Sequence, residues 1–133
     1  MTFVLDACAI IAYLRNENGA EAVEAALLGD NDCVVHVLNI CEVYYDCLRR
    51  GSTAQADELL EDLSSIGLIT RDDIDASFWK TAAGFKATIR RVSLADCFAI
   101  AMTQRLNAEL MTSDHHEFDA IDAQGICPIN FIR

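Results

Sequence analysis

Short apolar segments alternate along this chain with longer segments whose apolar residues have helical spacing. Thr2–Leu5 and residues 33–37 are apolar and rich in β-branched side chains, which is typical of buried strands. Between them, Ala7–Leu14 is apolar and has helical length, and Ala20–Leu28 carries Ala, Val and Leu at helical spacing. A turn-forming cluster, residues 29–32, closes this second helix. The pattern therefore predicts strands that are separated by helices.

The same alternation continues to the end of the sequence. Asn39 is a residue type that caps helices, and it predicts a helix that ends near Arg50. A further helix is predicted over residues 53–66, followed by a short strand over residues 68–70. The remaining predicted elements are a helix carrying Ile74, Phe78, Ala82 and Phe85, a central apolar helix over residues 94–106, and two closing strands, Glu109–Thr112 and residues 126–131.

This order of elements predicts an α/β fold in a single domain over residues 1–133. Strands that alternate with helices, with no hairpin turn between them, indicate parallel pairing with right-handed crossovers. Hydrophobic residues make up 53% of the chain and charged residues 23%, which excludes a disordered protein. Neither an apolar run of membrane-spanning length nor a signal-peptide pattern is present. We therefore expect a cytoplasmic protein with no membrane partner.

The net charge limits how this protein could act on phosphates, and the cysteine pattern indicates whether disulfides form. The chain has 21 acidic and 10 basic residues, and its formal net charge is −11. Since proteins that cover nucleic acid by charge alone are basic, phosphate chemistry here would need a metal ion or a local basic patch. The six cysteines lie singly in apolar segments without a C-x-x-C pair, which favours free thiols over disulfides.

Four acidic residues stand at positions where chemistry is expected. Asp6 follows the first predicted strand, and Asp114 follows the strand that ends at Thr112. Glu42 and Asp96 interrupt apolar segments near the starts of two helices. In open α/β sheets the functional site lies at the carboxyl ends of the strands, where all four side chains can converge. Singly, each has an ordinary explanation as a helix cap, a dipole partner or a turn residue. Together they would repel one another, and a Mg²⁺ or Mn²⁺ ion would relieve that repulsion.

The residues around these acids resemble the PIN domain family, and within it the toxin ribonucleases of VapBC toxin–antitoxin modules. The motifs are residues 4–6 before an apolar helix, Glu42 after a strand, residues 93–96 opening an apolar helix, and residues 111–118. The resemblance covers nearly the whole chain. It implies a three-layer α/β/α sandwich with a central, mostly parallel sheet. It also implies a Mg²⁺- or Mn²⁺-dependent endoribonuclease that forms a homodimer and binds a cognate antitoxin. The matched catalytic and metal-binding positions are Asp6, Glu42, Asp96 and Asp114.

Further residues are candidates for supporting roles. Hydroxyls at Ser93, Thr112 and Ser113 lie beside matched acids, Asn39 can either reach the same edge or cap its helix, and Asp119 can either contact the metal or solvate a loop. Arg90 and Arg91 precede Asp96 and can either contact RNA phosphates or complement a helix dipole. Ala7 and Cys8 stand where many PIN domains carry a Thr or Ser, which removes a hydroxyl that can orient metal-bound water.

Several alternatives follow from the same residues. A catalytically weak PIN domain could serve as a binding or scaffold module. A phosphatase of the haloacid dehalogenase type is disfavoured because Cys8 occupies the place of its second Asp. A transition-metal site at residues 115–117 lacks spaced His or Cys partners, so we expect a solvated loop there. Cys8 as a nucleophile lacks a nearby base in the sequence.

Overall fold

Five strands and seven helices alternate along the chain. The structure is a computed structural model that describes residues 1–133. The strands are β1 (Thr2–Leu5), β2 (Asp32–His36), β3 (Leu68–Arg71), β4 (Glu109–Thr112) and β5 (Ile129–Phe131). The helices are α1 (Ala7–Leu14), α2 (Ala20–Leu28), α3 (Val37–Arg50), α4 (Thr53–Ser65), α5 (Ala76–Thr88), α6 (Leu94–Arg105) and α7 (His115–Ala123). No helix combines the length and the apolar character that crossing a bilayer requires.

The strands form one sheet in the order β3-β2-β1-β4-β5, and every neighbouring pair is parallel. This confirms the predicted parallel α/β fold. In this order, β2 and β3 lie on one side of β1, and the later strands β4 and β5 lie on the other side. The strand order therefore reverses beside β1, and ligands of open α/β sheets bind at such a reversal, beyond the carboxyl ends of the strands.

The sheet is covered on both faces, as the three-layer prediction requires. Successive strand residues point to opposite faces, so Val4 and Val34 belong to one apolar cluster while Leu5 and Val35 belong to the other. The first cluster includes side chains of α5, α6 and α7, and the second includes side chains of α1, α2 and α4. Residues 96–103 of α6 are all buried, which confirms that this helix is central.

Three local predictions are wrong. Asn39 does not cap α3, because the helix begins at Val37 and the Nδ1 atom of His36 accepts the hydrogen bond from the Leu38 N–H, at 3.1 Å. Residues 115–123 form α7 instead of a solvated loop. The last strand covers only Ile129–Phe131, because residues 124–127 form a turn with Gly125 at φ 65°.

Candidate metal centre

The fold brings the four predicted acids to the carboxyl edge of the sheet. Asp6 directly follows β1 and caps α1, and Asp114 follows β4 and caps α7. Asp96 lies in the first turn of α6, and Glu42 lies in the second turn of α3. Their charges act on one another, since Asp114 and Glu42 both contribute to the raised pKa of Asp6 and Asp6 contributes to that of Asp96. The elements therefore place these four side chains around one site.

Asp6 is the most buried of these acids, with 1% of its surface exposed. Its Oδ1 accepts a hydrogen bond from the Ala9 N–H at 2.9 Å, and its Oδ2 accepts one from the Thr112 hydroxyl at 2.5 Å. Burial raises the pKa of Asp6 from 3.8 to about 7, because loss of hydration outweighs these two bonds. Without a cation, ionised Asp6 is therefore a source of instability at neutral pH.

One oxygen each of Asp96, Asp114 and Glu117 lies within 4.8 Å of the other two, a spacing at which they could hold a metal ion. Glu117 was not predicted as a site residue. The signal for it was the spacing Asp114-x-x-Glu117, which is typical of a helix start. The Glu117 N–H donates to Asp114 Oδ1 at 3.1 Å, as in a capping box, but the Glu117 carboxylate turns instead toward α6 and accepts from the Ser93 N–H at 3.1 Å.

Two of the predicted hydroxyls fix the acids in place. Ser93 caps α6, and its Oγ accepts a hydrogen bond from the Asp96 N–H at 3.1 Å. The Thr112 oxygen accepts one from the Asp114 N–H at 3.0 Å while its proton is donated to Asp6. Ser113 is half-buried and takes no part in these bonds. The carboxylates are thus joined by a chain of hydrogen bonds that runs from Asp96 to Asp6.

The electrostatics of the site favour a cation. Burial, followed by a hydrogen bond with Glu117, raises the pKa of Asp96 above its ordinary value. Burial, followed by repulsion from Glu117, also raises the pKa of Glu42. Crowded and partly dehydrated carboxylates are the environment that a hard divalent cation stabilises. Oxygen ligands of this kind fit Mg²⁺ or Mn²⁺ and do not favour a soft metal.

Other candidates lie at or outside the edge of this cluster. Asp119 is exposed and pairs with the Nδ1 atom of His115 at 2.7 Å, so its carboxylate is engaged away from the three clustered oxygens. Arg90 and Arg91 are exposed on the turn between α5 and α6, and Arg91 has φ 65°. Burial and the surrounding acids, Asp6 first, raise the pKa of the Cys8 thiol to about 12, which disfavours a thiolate nucleophile.

The largest groove of the protein, of about 450 Å³, lies away from the acids, between α1, α3 and α4. An ion pair between Arg15 and Asp46 forms part of its lining. None of the four grooves includes Glu117 or any of the four predicted acids.

The PIN domain is the family whose sequence profile matches this chain, over residues 3–124. The matched segment contains all five acids of the site. The chain belongs to the PIN domain family. The family resemblance noted in the sequence is therefore confirmed. Among curated proteins, none matches the sequence.

Solved structures share this PIN fold over nearly the whole chain. VapBC2 from Rickettsia felis, bound to a DNA fragment from its promoter, aligns with a TM-score of 0.74 at 15% identity, covering 98% of both chains. VapBC-1 from nontypeable Haemophilus influenzae aligns at 0.72 and 21% identity, covering 99% of this chain and 98% of the other. VapC20 from Mycobacterium tuberculosis, a sarcin–ricin loop cleaving toxin, aligns at 0.70 and 12% identity, covering 89% and 94%. At these identities the likeness shows a common fold.

Proposed function

We propose that this PIN domain is a metal-dependent endoribonuclease that hydrolyses RNA phosphodiester bonds in the cytoplasm. The observation that carries the proposal is the spacing of three carboxylate oxygens, from Asp96, Asp114 and Glu117, within 4.8 Å of one another. Membership of the PIN family and the buried position of Asp6 beside them support the same conclusion. Clustered acids at a strand-order reversal are a suitable place for metal-assisted hydrolysis.

The donor set fits Mg²⁺ or Mn²⁺. The residues that would hold it are Asp6, Glu42, Asp96 and Asp114, which the sequence predicted, together with Glu117. All five are carboxylates, and hard oxygen ligands are what both ions prefer. Burial raises the pKa of Asp6 and Asp96, so positive charge at this position would offset an electrostatic cost. When bound, the ion would lower the pKa of a coordinated water and offset negative charge on the phosphate.

The protein residues would supply position and substrate contact. Thr112 orients the Asp6 carboxylate, and Ser93 orients the first turn of α6, where Asp96 lies. Arg90 and Arg91 are the exposed bases next to this turn, and we propose that they contact RNA phosphates. Because the net charge is −11, phosphate binding at this site would depend on such a local basic patch and on the metal ion.

The biological setting is proposed from the structural neighbours. The Rickettsia felis and Haemophilus influenzae structures contain VapBC, and a Klebsiella pneumoniae neighbour is a toxin–antitoxin complex. We therefore propose that this chain is the toxin of a type II toxin–antitoxin module, that it binds a cognate antitoxin and that it forms a homodimer. Expression of the wild-type chain in a bacterial host should arrest growth, whereas expression of the Asp96→Asn variant should not. Light scattering of the purified protein should give the mass of a dimer.

Cleavage of a pooled RNA panel tests the activity. Wild-type protein with Mg²⁺ or Mn²⁺ should cut RNA, whereas addition of EDTA or the substitution Asp96→Asn should abolish cutting. Asp122→Asn is the matched control, because Asp122 is an exposed acid near the end of α7 and should leave activity unchanged. A folded, antitoxin-free wild type that cuts no RNA in either metal would instead favour the binding or scaffold module.

A further inference from the structure

The carboxamide of Asn39 is buried between the starts of two other helices. Its side chain is completely inaccessible to solvent, with 0% exposed. Its Oδ1 accepts a hydrogen bond from the N–H of Ala7, the first residue of α1, at 3.3 Å. Its Nδ2 donates one to the carbonyl of Ala95, in the first turn of α6, at 3.1 Å. Asn39 itself lies in the first turn of α3, so one side chain joins three helices.

Each of these two backbone groups lies in a peptide group that is bonded to the Cα atom of an acid of the site. The Ala7 N–H lies in the planar peptide group that starts at Asp6, and the Ala95 carbonyl lies in the one that ends at Asp96. A hydrogen bond to a planar peptide group restrains both of the Cα atoms that flank it. Asn39 therefore restrains the Cα atoms of both Asp6 and Asp96.

These two bonds close a ring of contacts around the site. On the opposite side, the Asp96 N–H donates to Ser93 and the Thr112 hydroxyl donates to Asp6. Between these two bonds, the Ser93 N–H donates to Glu117, the Glu117 N–H to Asp114, and the Asp114 N–H to Thr112. Asn39 completes the circuit from Asp6 back to Asp96. A carboxamide suits this position because it offers an acceptor to an N–H and a donor to a carbonyl in one rigid plane.

We propose that Asn39 is a positioning residue that fixes the distance between the Asp6 and Asp96 carboxylates and so sets the affinity of the site for a divalent cation. The proposal rests on the metal-dependent function proposed above. Residues that orient metal ligands through hydrogen bonds commonly change affinity by about ten- to a hundredfold when they are removed. A residue with a purely structural role would lower stability without a specific effect on metal binding.

Titration calorimetry of the full chain with Mn²⁺ tests the proposal, alongside urea unfolding of the same samples. Asn39→Ala should weaken Mn²⁺ binding by at least about tenfold. Asn39→Ser keeps one polar side-chain atom and leaves a smaller cavity than Asn39→Ala, so it should give an intermediate loss of Mn²⁺ affinity. It also serves as the folded variant if Asn39→Ala does not fold. Thr103→Ala is the matched control, because Thr103 is buried in α6 and its hydroxyl bonds only within that helix, to the Ala99 carbonyl at 2.8 Å.

The outcomes separate this proposal from the one on which it rests. Weaker Mn²⁺ binding in the Asn39 variants, with wild-type affinity in Thr103→Ala at a similar loss of stability, supports the positioning role. Mn²⁺ affinity within twofold of the wild type in a folded Asn39 variant overturns the positioning role and leaves the proposed function standing. An equal loss of Mn²⁺ affinity in Thr103→Ala has the same meaning. A wild-type chain that binds no Mn²⁺ overturns both proposals.

Discussion

The Thr112 hydroxyl donates a hydrogen bond of 2.5 Å to Oδ2 of Asp6, although 106 residues separate the two in sequence. They meet because β1 and β4 are parallel neighbours, with Leu5 paired to Met111 at their carboxyl ends. The same Thr112 oxygen accepts the N–H of Asp114. One buried hydroxyl therefore positions two acids that follow two different strands.

Loss of this hydroxyl should destabilise the protein. Thr112→Val has nearly the same shape but leaves the Asp114 N–H without its acceptor and Asp6 without one of its donors. Leaving buried polar groups unsatisfied costs about 1–3 kcal/mol, so we expect a loss of that size in urea unfolding with EDTA present. Thr112→Ser keeps the hydroxyl and should retain most of the stability. A Thr112→Val variant as stable as the wild type, with the loss confined to Thr112→Ser, would show that the methyl group matters and the hydrogen bonds do not.

The buried carboxyl of Asp6 should make stability depend on pH in the absence of metal. Its pKa is raised from 3.8 to about 7, so the folded state binds more protons than the unfolded state between these values. The contribution of Asp6 to the free energy of unfolding therefore falls as pH rises from about 4 to about 7, by up to about 4 kcal/mol.

Asp6→Asn isolates this contribution. With EDTA at pH 8, we expect this variant to be more stable than the wild type, and the difference should shrink toward pH 4.5. With saturating Mn²⁺ the order should reverse, because only the wild type gains the full free energy of metal binding. A variant that is less stable than the wild type at pH 8 in EDTA would contradict the raised pKa.

Glu117 and Asp119 both lie in α7, but only Glu117 should contribute to metal affinity. Glu117→Gln keeps an acceptor for the Ser93 N–H but removes a charge from the oxygen cluster, so Mn²⁺ affinity should fall by at least about tenfold. Asp119→Asn is the matched control, since Asp119 is exposed and pairs with His115. Calorimetry should find its Mn²⁺ affinity within twofold of the wild type. A larger loss in Asp119→Asn than in Glu117→Gln would restore Asp119 as the metal-binding acid.

Arg91 allows RNA contact to be separated from folding. Its φ of 65° is strained for a residue with a side chain and is easy for glycine, so Arg91→Gly should be as stable as the wild type or more stable by about 1 kcal/mol. Loss of a phosphate contact should nevertheless raise KM for RNA several-fold and reduce its salt dependence, with little change in kcat. Arg49→Gln, at the far end of α3, should alter none of these values. Equal effects of the two substitutions would indicate a general effect of charge.

Much of the fold could be predicted because the layers follow from periodicity. Segments such as residues 3–5 of β1 are apolar throughout, as expected for strands covered on both faces of a parallel sheet. The positions of Asp6 and Asp114 then followed from the rule that such sheets carry their sites at the carboxyl ends of the strands. The strand order and the pairing of β1 with β4 did not follow, because they depend on contacts between distant segments.

The failures around α7 and Asn39 also have physical causes. Residues 115–117 lack spaced His or Cys partners, and this led to the expectation of a solvated loop, but the Asp114 cap and the buried Phe118 and Ile121 stabilise a helix. Recognition of the cap would have placed Glu117 in its first turn, next to Asp114. Asn39 is a good capping residue by type, yet His36, whose ring packs against Phe78 and Phe98, takes that place. The Asn39 amide is then available for α1 and α6.

The acids of the site come from distant parts of the sequence, because Asp6 directly follows β1 and Glu117 lies in α7. During synthesis on a ribosome, Asp6 therefore emerges long before β4 and α7. A nascent chain that has not yet exposed these two elements lacks the assembled carboxylate cluster. If the proposed nuclease activity is correct, a growing chain cannot cleave RNA until β4 has joined the sheet and α7 has packed beside it.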